Sequence, residues 1–389
     1  MNMLDRLSEA LRGLTGRESE RLRLFQAPAR VNIIGEHTDY NGGLVLPTNT
    51  AIYTWLAIAG RDDHIIEVRS ENLDKAGRFK LDHLEPAAEV DWLEYVKGVA
   101  AILEAEGIEL RGANILIDSD IPIGAGLSSS ASLELAVAAA LLAIADQSLP
   151  ARRAAELCQQ AEHLYARVQC GLMDQYVIAC AGKGKAILLD CESVEATQVD
   201  IPPEIGFVIT DSGVRHRLPD DQYNDRRDEC ERARQLLTGR IPGLQSLRGL
   251  DLQTLEANSE VLDDALYRRC RHVITENERV RQAVAALEAG TPELLGKLID
   301  ASHASLRDDF EVSCAEIEAL VRTANECNGV LGSRMVGGGF GGCVLSLTTA
   351  GEQEQVAAEI RDACARISGK VPWTHLVEAA NPVQEIQYQ

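Results

Sequence analysis

Residues 121–146 read IPIGAGLSSSASLELAVAAALLAIAD. Gly124 and Gly126 let the backbone come close to a ligand and adopt unusual dihedrals. Three hydroxyls follow at Ser128, Ser129 and Ser130, and then a long, nearly all-apolar run with helical character. Such a run is buried on most sides. Free N–H groups and the positive end of a helix dipole meet at its start, which makes Gly124–Ser130 a candidate anion site. The segment is not a Walker A loop, because the Gly-Lys-[Ser/Thr] ending is absent. It is not a dinucleotide fingerprint either, since Ser-Ser-Ser stands where xxG would be. Taken alone, it also reads as a Gly/Ser loop with an ordinary helix cap.

Outward from this segment, the spacing predicts helices over 3–14, 92–106, 151–168, 172–181 and 352–368, with a mainly helical stretch over 220–330. Strands are expected over 22–34, 44–59, 64–69, 113–118, 187–191, 206–213 and near 373–378. LGSRMVGGGFGGCVLSL (331–347) reads as a Gly-rich turn feeding a strand. Strands and helices occur without regular βαβ alternation, so the fold class is α+β. A chain of 389 residues is long for one core, and two domains are expected, 1–205 and 206–389.

Hydrophobic residues make up 46% and charged residues 25%, as in globular proteins. A formal net charge of −22 argues against nucleic acid or an anionic membrane as the main partner. An anionic small ligand remains compatible, because backbone amides can hold phosphate inside an acidic protein. The ten cysteines form no CxxC pair, so they read as reduced thiols in a cytosolic protein. The first residues, MNMLDRLSEALRG, lack the apolar core of a signal peptide, and no apolar run reaches membrane-spanning length.

A second segment is VNIIGEHTDYNGG, residues 31–43. Val31–Ile34 read as a mostly buried strand. Gly35 breaks it, and Glu36, His37, Thr38, Asp39, Tyr40 and Asn41 follow without a gap. Two residues on later elements carry chemistry of the same kind. Glu162, in AEHLY, could join Ser130 as an oxygen ligand for Mg²⁺, which needs one or two protein oxygens beside phosphates and water. By residues alone, a solvated helical glutamate is the simpler reading. Asp174, in GLMDQ, falls in the first turn of a helix, where the dipole favours an ionised carboxylate. It is either helix-start chemistry or a base aimed at a hydroxyl.

APARVNIIGEHTDYNGG, IPIGAGLSSSAS, GLMDQ, QYNDRRDEC and MVGGGFGGC occur in this order. Together they resemble the galactokinases of the GHMP kinase superfamily, over about residues 25–378. SENLDK, WLEYVKGV, RHVITEN and SHASLRDDFEVSC match as well. The resemblance implies ATP- and Mg²⁺-dependent phosphorylation of α-D-galactose at its C1 hydroxyl, the first committed step of galactose catabolism, by a cytoplasmic monomer. It implies an N-terminal domain like ribosomal protein S5 domain 2, a ferredoxin-like C-terminal domain and an active site in the cleft between them. By motif, Asp174 is the expected base, and Arg30 stabilises the transferring group and holds Asp174 ionised. Glu36, His37, Asp39, Gly171 and Tyr223 are expected to contact the sugar. Gly124, Ala125, Gly126, Leu127, Ser128, Ser129 and Ser130 wrap the nucleotide phosphates, with Ser70 a further nucleotide contact. Ser130 and Glu162 are expected on Mg²⁺. The polar cluster after Ile34 then makes sense, because carboxylates accept hydroxyl hydrogens strongly and a site built on such bonds rejects sugars that cannot make them.

Three positions depart from the family pattern. Ala29 stands where Gly is usual, which matters only if that backbone needs positive φ. Val336 replaces a Thr, and Asp211 stands where Asn is common. His163, His216, His272 and His303 read as structural. Trp92 reads as either an adenine-pocket wall or a core aromatic, and the charges of 220–240 as a solvated face. An N-acetylgalactosamine kinase is a competing reading, which Thr38 and Asn41-Gly42-Gly43 disfavour. A non-catalytic galactose and ATP sensor is another, which the intact Ser-rich loop, Arg30 and Asp174 disfavour.

Overall fold

The computed structural model describes residues 5–7, 9–11, 22–214, 219–369 and 371–387. Residues 5–7 and 9–11 are helical. The remainder of the helix expected over 3–14, and His216, lie outside the described residues. The strands are β1 (Arg23–Asn32), β2 (Leu44–Val45), β3 (Pro47–Gly60), β4 (Ile65–Ser70), β5 (Lys75–Lys80), β6 (Ala113–Ser119), β7 (Lys185–Asp190), β8 (Glu195–Asp200), β9 (Ile205–Asp211), β10 (Val330–Met335), β11 (Cys343–Thr349), β12 (Thr374–Leu376) and β13 (Gln384–Ile386). The helices are α1 (Trp92–Ala105), α2 (Ser129–Ile144), α3 (Ala151–Ala161), α4 (Met173–Cys180), α5 (Pro219–Thr238), α6 (Leu252–Ala257), α7 (Asp264–Glu288), α8 (Pro292–Asp308), α9 (Ala315–Asn325) and α10 (Gln353–Ser368).

Two sheets organise the molecule, giving the mixed α/β, two-part architecture expected. The nine-stranded sheet runs β13-β1-β3-β6-β4-β5, with β7 joining β2, β3 and β8. Its pairings are antiparallel except β4 with β6. The four-stranded sheet runs β10-β11-β9-β12. The chain passes from the first sheet to the second between Asp200 and Ile205, and β13 returns to pair with β1 at Leu24–Gln26. α1–α4 pack on one face of the larger sheet around a core that includes Val68, Ile115, Leu135 and Val177. A second cluster joins the two sheets, with Val31, Ile33 and Leu46 meeting Phe207, Ile209, Val336 and Leu345. α2 carries ten buried residues, as its apolar run requires.

One irregularity positions chemistry. β1 contains Pro28, which has no N–H to give to the ladder, and the β1–β3 register shifts between Pro28 and Ala29. Such bulges re-aim the side chains that follow, and the next side chain is Arg30. Ala29 is fully buried and its φ is not positive, so the methyl group fits. The helix expected over 151–168 ends sooner: α3 stops at Ala161 and continues as a π turn, Glu162–Ala166. The Gly-rich strip 336–342 joins two strands, β10 and β11, rather than feeding a single one.

Candidate active site

The loop before α2, the strip after β1, the start of α4, the β10–β11 turn and Tyr223 of α5 share one cavity of about 280 Å³. Ser128, the residue before α2, has φ of 60°, a left-handed backbone uncommon outside glycine. Gly124, Gly126, Ser128, Ser129 and Ser130 line the cavity. Ala125 and Leu127 turn their side chains into the core. The two glycine-rich segments touch backbone to backbone: a Cβ on Gly126 would lie 2.8 Å from the Val336 carbonyl oxygen.

Arg30 reaches from β1 to the start of α4. Its Nε donates to Asp174 Oδ1 at 2.8 Å and its Nη2 to Oδ2 at 2.9 Å. Nη1 donates to the Gly126 carbonyl at 2.6 Å, tying the pair to the loop. Ser128 Oγ also donates to Asp174 Oδ2. Burial works against the Arg30 charge, but the Asp174, Glu36 and Asp39 carboxylates outweigh it and raise its pKa. This two-pronged pair is among the strongest hydrogen-bonding geometries.

The polar strip is held from both parts of the chain. Glu36 is buried, and its Oε1 accepts from Arg334 Nη2 at 3.0 Å and from the Gly337 N–H at 2.8 Å. His37 Nδ1 lies 2.8 Å from the Tyr40 hydroxyl. Burial, then the charge of His272, push the His37 pKa down to about 3, so its ring is neutral at pH 7. Asp39 packs on Gly171, where a Cβ would fall 2.0 Å from Asp39 Oδ2. Burial, then the neighbouring Asp174 charge, push the Asp39 pKa up to about 7. The Tyr223 ring lies 5.6 Å from that of His37 and 5.4 Å from that of Tyr40.

Glu162 lines the same cavity at the start of the π turn. Its pKa is raised, first by burial. Ser130 and Gln175 hydrogen-bond it. Among the described lining residues Arg30 is the one cation, against Glu36, Asp39, Glu162 and Asp174. Backbone amides at the start of α2 add to Arg30 as partners for an anionic ligand.

Ser70 lies elsewhere. It ends β4 buried, accepts the Leu73 N–H, and does not line the cavity. Trp92 packs at the edge of the first core, while Tyr95, one turn further along α1, lines the cavity. Asp211 accepts the Gly213 N–H and stands outside the lining. Sequence reasoning gave no role to the groups that brace the sugar-motif strip. The buried Arg334 donates to the Ile33 and Asn32 carbonyls. His272 Nε2 faces the Glu36 carbonyl at 3.0 Å, Glu276 accepts the Gly35 N–H, and Asn277 accepts the Leu44 N–H. The matching stretch RHVITEN contains His272, Glu276 and Asn277, and Arg334 directly precedes MVGGGFGGC, which was the signal available.

Three family models match the chain: a galactokinase galactose-binding signature over 12–60, the GHMP kinase N-terminal domain over 94–182 and the GHMP kinase C-terminal domain over 283–366. A galactokinase of Chloroflexus aggregans is 43% identical over 86% of each chain, and that of Homo sapiens 41% over 86% of each. The structure of Lactococcus lactis galactokinase complexed with galactose superposes with a TM-score of 0.94, at 34% identity, covering 99% of this chain and 100% of that one. A Methanococcus jannaschii mevalonate kinase shares the fold at TM-score 0.67 and 18% identity.

Proposed function

The chain belongs to the galactokinase family of the GHMP kinases, and from that premise we propose that it transfers the γ-phosphoryl group of ATP to the C1 hydroxyl of α-D-galactose. Its activity is that of an ATP-dependent sugar kinase. The observation that carries the residue assignment is the Arg30–Asp174 pair, set between the polar strip and the α2 loop in one cavity.

Asp174 is the base. Arg30 and Ser128 engage both its oxygens, but a carboxylate has about four acceptor positions, so it can still accept the C1 O–H. As the sugar oxygen bonds to the γ-phosphorus, the bond from that phosphorus to the bridging oxygen breaks, ADP departs with the electron pair, and the proton passes to Asp174. Phosphoryl transfer is governed by positioning and charge neutralisation rather than base strength, so a carboxylate paired with a guanidinium suits it. Arg30, Gly126 and the α2 amides face the charge that develops on the phosphoryl group. Glu36, His37, Asp39, Gly171 and Tyr223 hold the sugar. The neutral His37 ring can accept or donate, and Asp39 accepts best when ionised.

Ser130 and Glu162 offer hard oxygen ligands in a surplus of negative charge, and both fit Mg²⁺, which takes few protein ligands when phosphates share it. When bound, that ion neutralises phosphate charge. None of the ten cysteines forms a disulfide, which accords with a reducing, cytoplasmic setting, and no described helix is long and apolar enough to cross a membrane. We divide the chain near residue 205, with β13 completing the first part.

ADP release should be measured with galactose, glucose, N-acetylgalactosamine and arabinose. Galactose should exceed glucose by at least about 100-fold, as expected of a site that reads hydroxyls by hydrogen bonds. Equal turnover of the two, or preference for N-acetylgalactosamine, overturns the assignment.

A further inference from the structure

Behind Glu162 lies a carboxylate that the transfer chemistry leaves unused. Glu134, in the second turn of α2, and Gln175, in the first turn of α4, are both fully buried. Gln175 Nε2 donates to Glu162 Oε2 at 2.6 Å and to Glu134 Oε2 at 3.1 Å. A primary amide nitrogen has two protons, and both are used here. Gln175 Oε1 and Glu134 Oε1 make no hydrogen bond among the described residues. The Glu162 carboxylate fixes the sense of the amide, because turning it over would set the amide carbonyl oxygen against Glu162 Oε2 in place of a 2.6 Å hydrogen bond. One side chain therefore connects three pieces of the site: α2, which carries Ser130; the π turn, which carries Glu162; and α4, where its chain neighbour is Asp174.

We propose that Gln175 and Glu134 form a buried bracket that fixes the Glu162 carboxylate toward Ser130 and the nucleotide phosphates, making both of them positioning residues for the divalent cation. This rests on the reading of Glu162 as a metal ligand. Glu162 Oε2 takes a hydrogen bond from Gln175 at 2.6 Å and a second from Cys170 Sγ at 3.2 Å. Without the amide, the carboxylate keeps its Ser130 partner in front and one weak sulfur donor behind it, and its orientation is less tightly held. Glu134 in turn holds the second amide proton and so keeps Gln175 from swinging away.

The test uses the full chain with ADP and Mn²⁺, counting free Mn²⁺ by electron paramagnetic resonance. Gln175→Leu should weaken Mn²⁺·ADP binding by about 10- to 100-fold, the usual effect of losing a partner behind a metal ligand. The Mg²⁺ needed for half-maximal rate and the KM for ATP should rise in parallel, with the galactose Kd by calorimetry unchanged. Glu134→Leu should shift the same quantities in the same direction by less. Glu134→Gln keeps an acceptor oxygen for Gln175 and should restore tight Mn²⁺·ADP binding. A merely structural role would lower the melting temperature and weaken both substrates alike, and that result overturns the proposal. If Gln175→Leu fails to fold, the two Glu134 variants decide. Glu162→Gln separates the layers. If it leaves Mn²⁺·ADP binding intact, the metal reading fails. If it weakens binding while the bracket variants do not, the metal reading stands and the bracket is refuted.

Discussion

Asp39→Asn should make the free protein more stable at pH 8 while weakening its grip on galactose. The Asp39 carboxyl is pushed from the ordinary 3.8 to about 7, by burial and then by the Asp174 charge. At 1.36 kcal/mol per pH unit, ionising it in the folded chain costs at most about 4 kcal/mol relative to the unfolded chain. Solvent reaches part of this side chain, and screening brings the working figure to about 2 kcal/mol. The folded state holds this proton more tightly than the unfolded state does. Stability from this group therefore falls as pH rises from about 4 to about 7, and the cost is complete above that. Asparagine has no such cost. Urea denaturation at pH 5 and pH 8 should show Asp39→Asn gaining about 2 kcal/mol over the parent at pH 8 and less at pH 5. Calorimetry should show galactose bound about 10- to 100-fold more weakly, the value of a hydrogen bond to a charged group. In the parent, galactose affinity should rise between pH 6 and pH 8 as Asp39 ionises. An equal stability difference at both pH values would refute the placement of Asp39 as a strained acceptor.

Asp174→Asn should lower kcat by about 10²- to 10⁴-fold, the usual worth of a general base, with a small change in galactose Kd; single-turnover ADP formation near the parent rate removes Asp174 from the mechanism. Gly171→Ala would place a methyl group on Asp39 Oδ2, so the KM for galactose should rise while that for ATP holds, and steady-state kinetics varying each substrate reads the split. Glu276 is fully buried with its pKa lowered to about 2, since the Arg279 and His272 charges overcome burial. Its contribution is present above the ordinary value of 4.5 and is lost as pH falls through about 2. Glu276→Gln should therefore cost about 3 kcal/mol at pH 7, a deficit that shrinks in acid titrations followed by circular dichroism.

Local order was readable wherever periodicity was strong. α2, with its apolar run and preceding Gly/Ser loop, and β3, β6 and β9 stood close to where the pattern put them. β5 (KAGRFK) and β8 (EATQVD) were not seen, because they are mostly exposed and polar, and their pairing with neighbours overrides weak propensity. β13 was missed because three residues carry too little pattern. The π turn at Glu162 broke a period that looked continuous through residue 168. Within the site, residues that sit in short motifs were legible: the Arg30 position, the strip from Glu36 to Asp39, the loop to Ser130, and Asp174. Arg334, His272, Glu276 and Asn277 were not. Their roles depend on partners more than 230 residues away, a separation across which no spacing rule operates.

The bracing of the strip by α7 and β10 bears on how such proteins can be recombined. Gly35, Glu36 and Leu44 belong to the first part of the chain, yet Glu276, His272, Arg334 and Asn277, which satisfy them, all belong to the second. A chimera joined near residue 205 from two diverged parents would inherit a sugar loop from one and its cradle from the other. Exchange of specificity between homologues thus requires the α7 and β10 contacts to travel with the loop, and transplanting the short motif alone will leave buried amides and a carboxylate without partners.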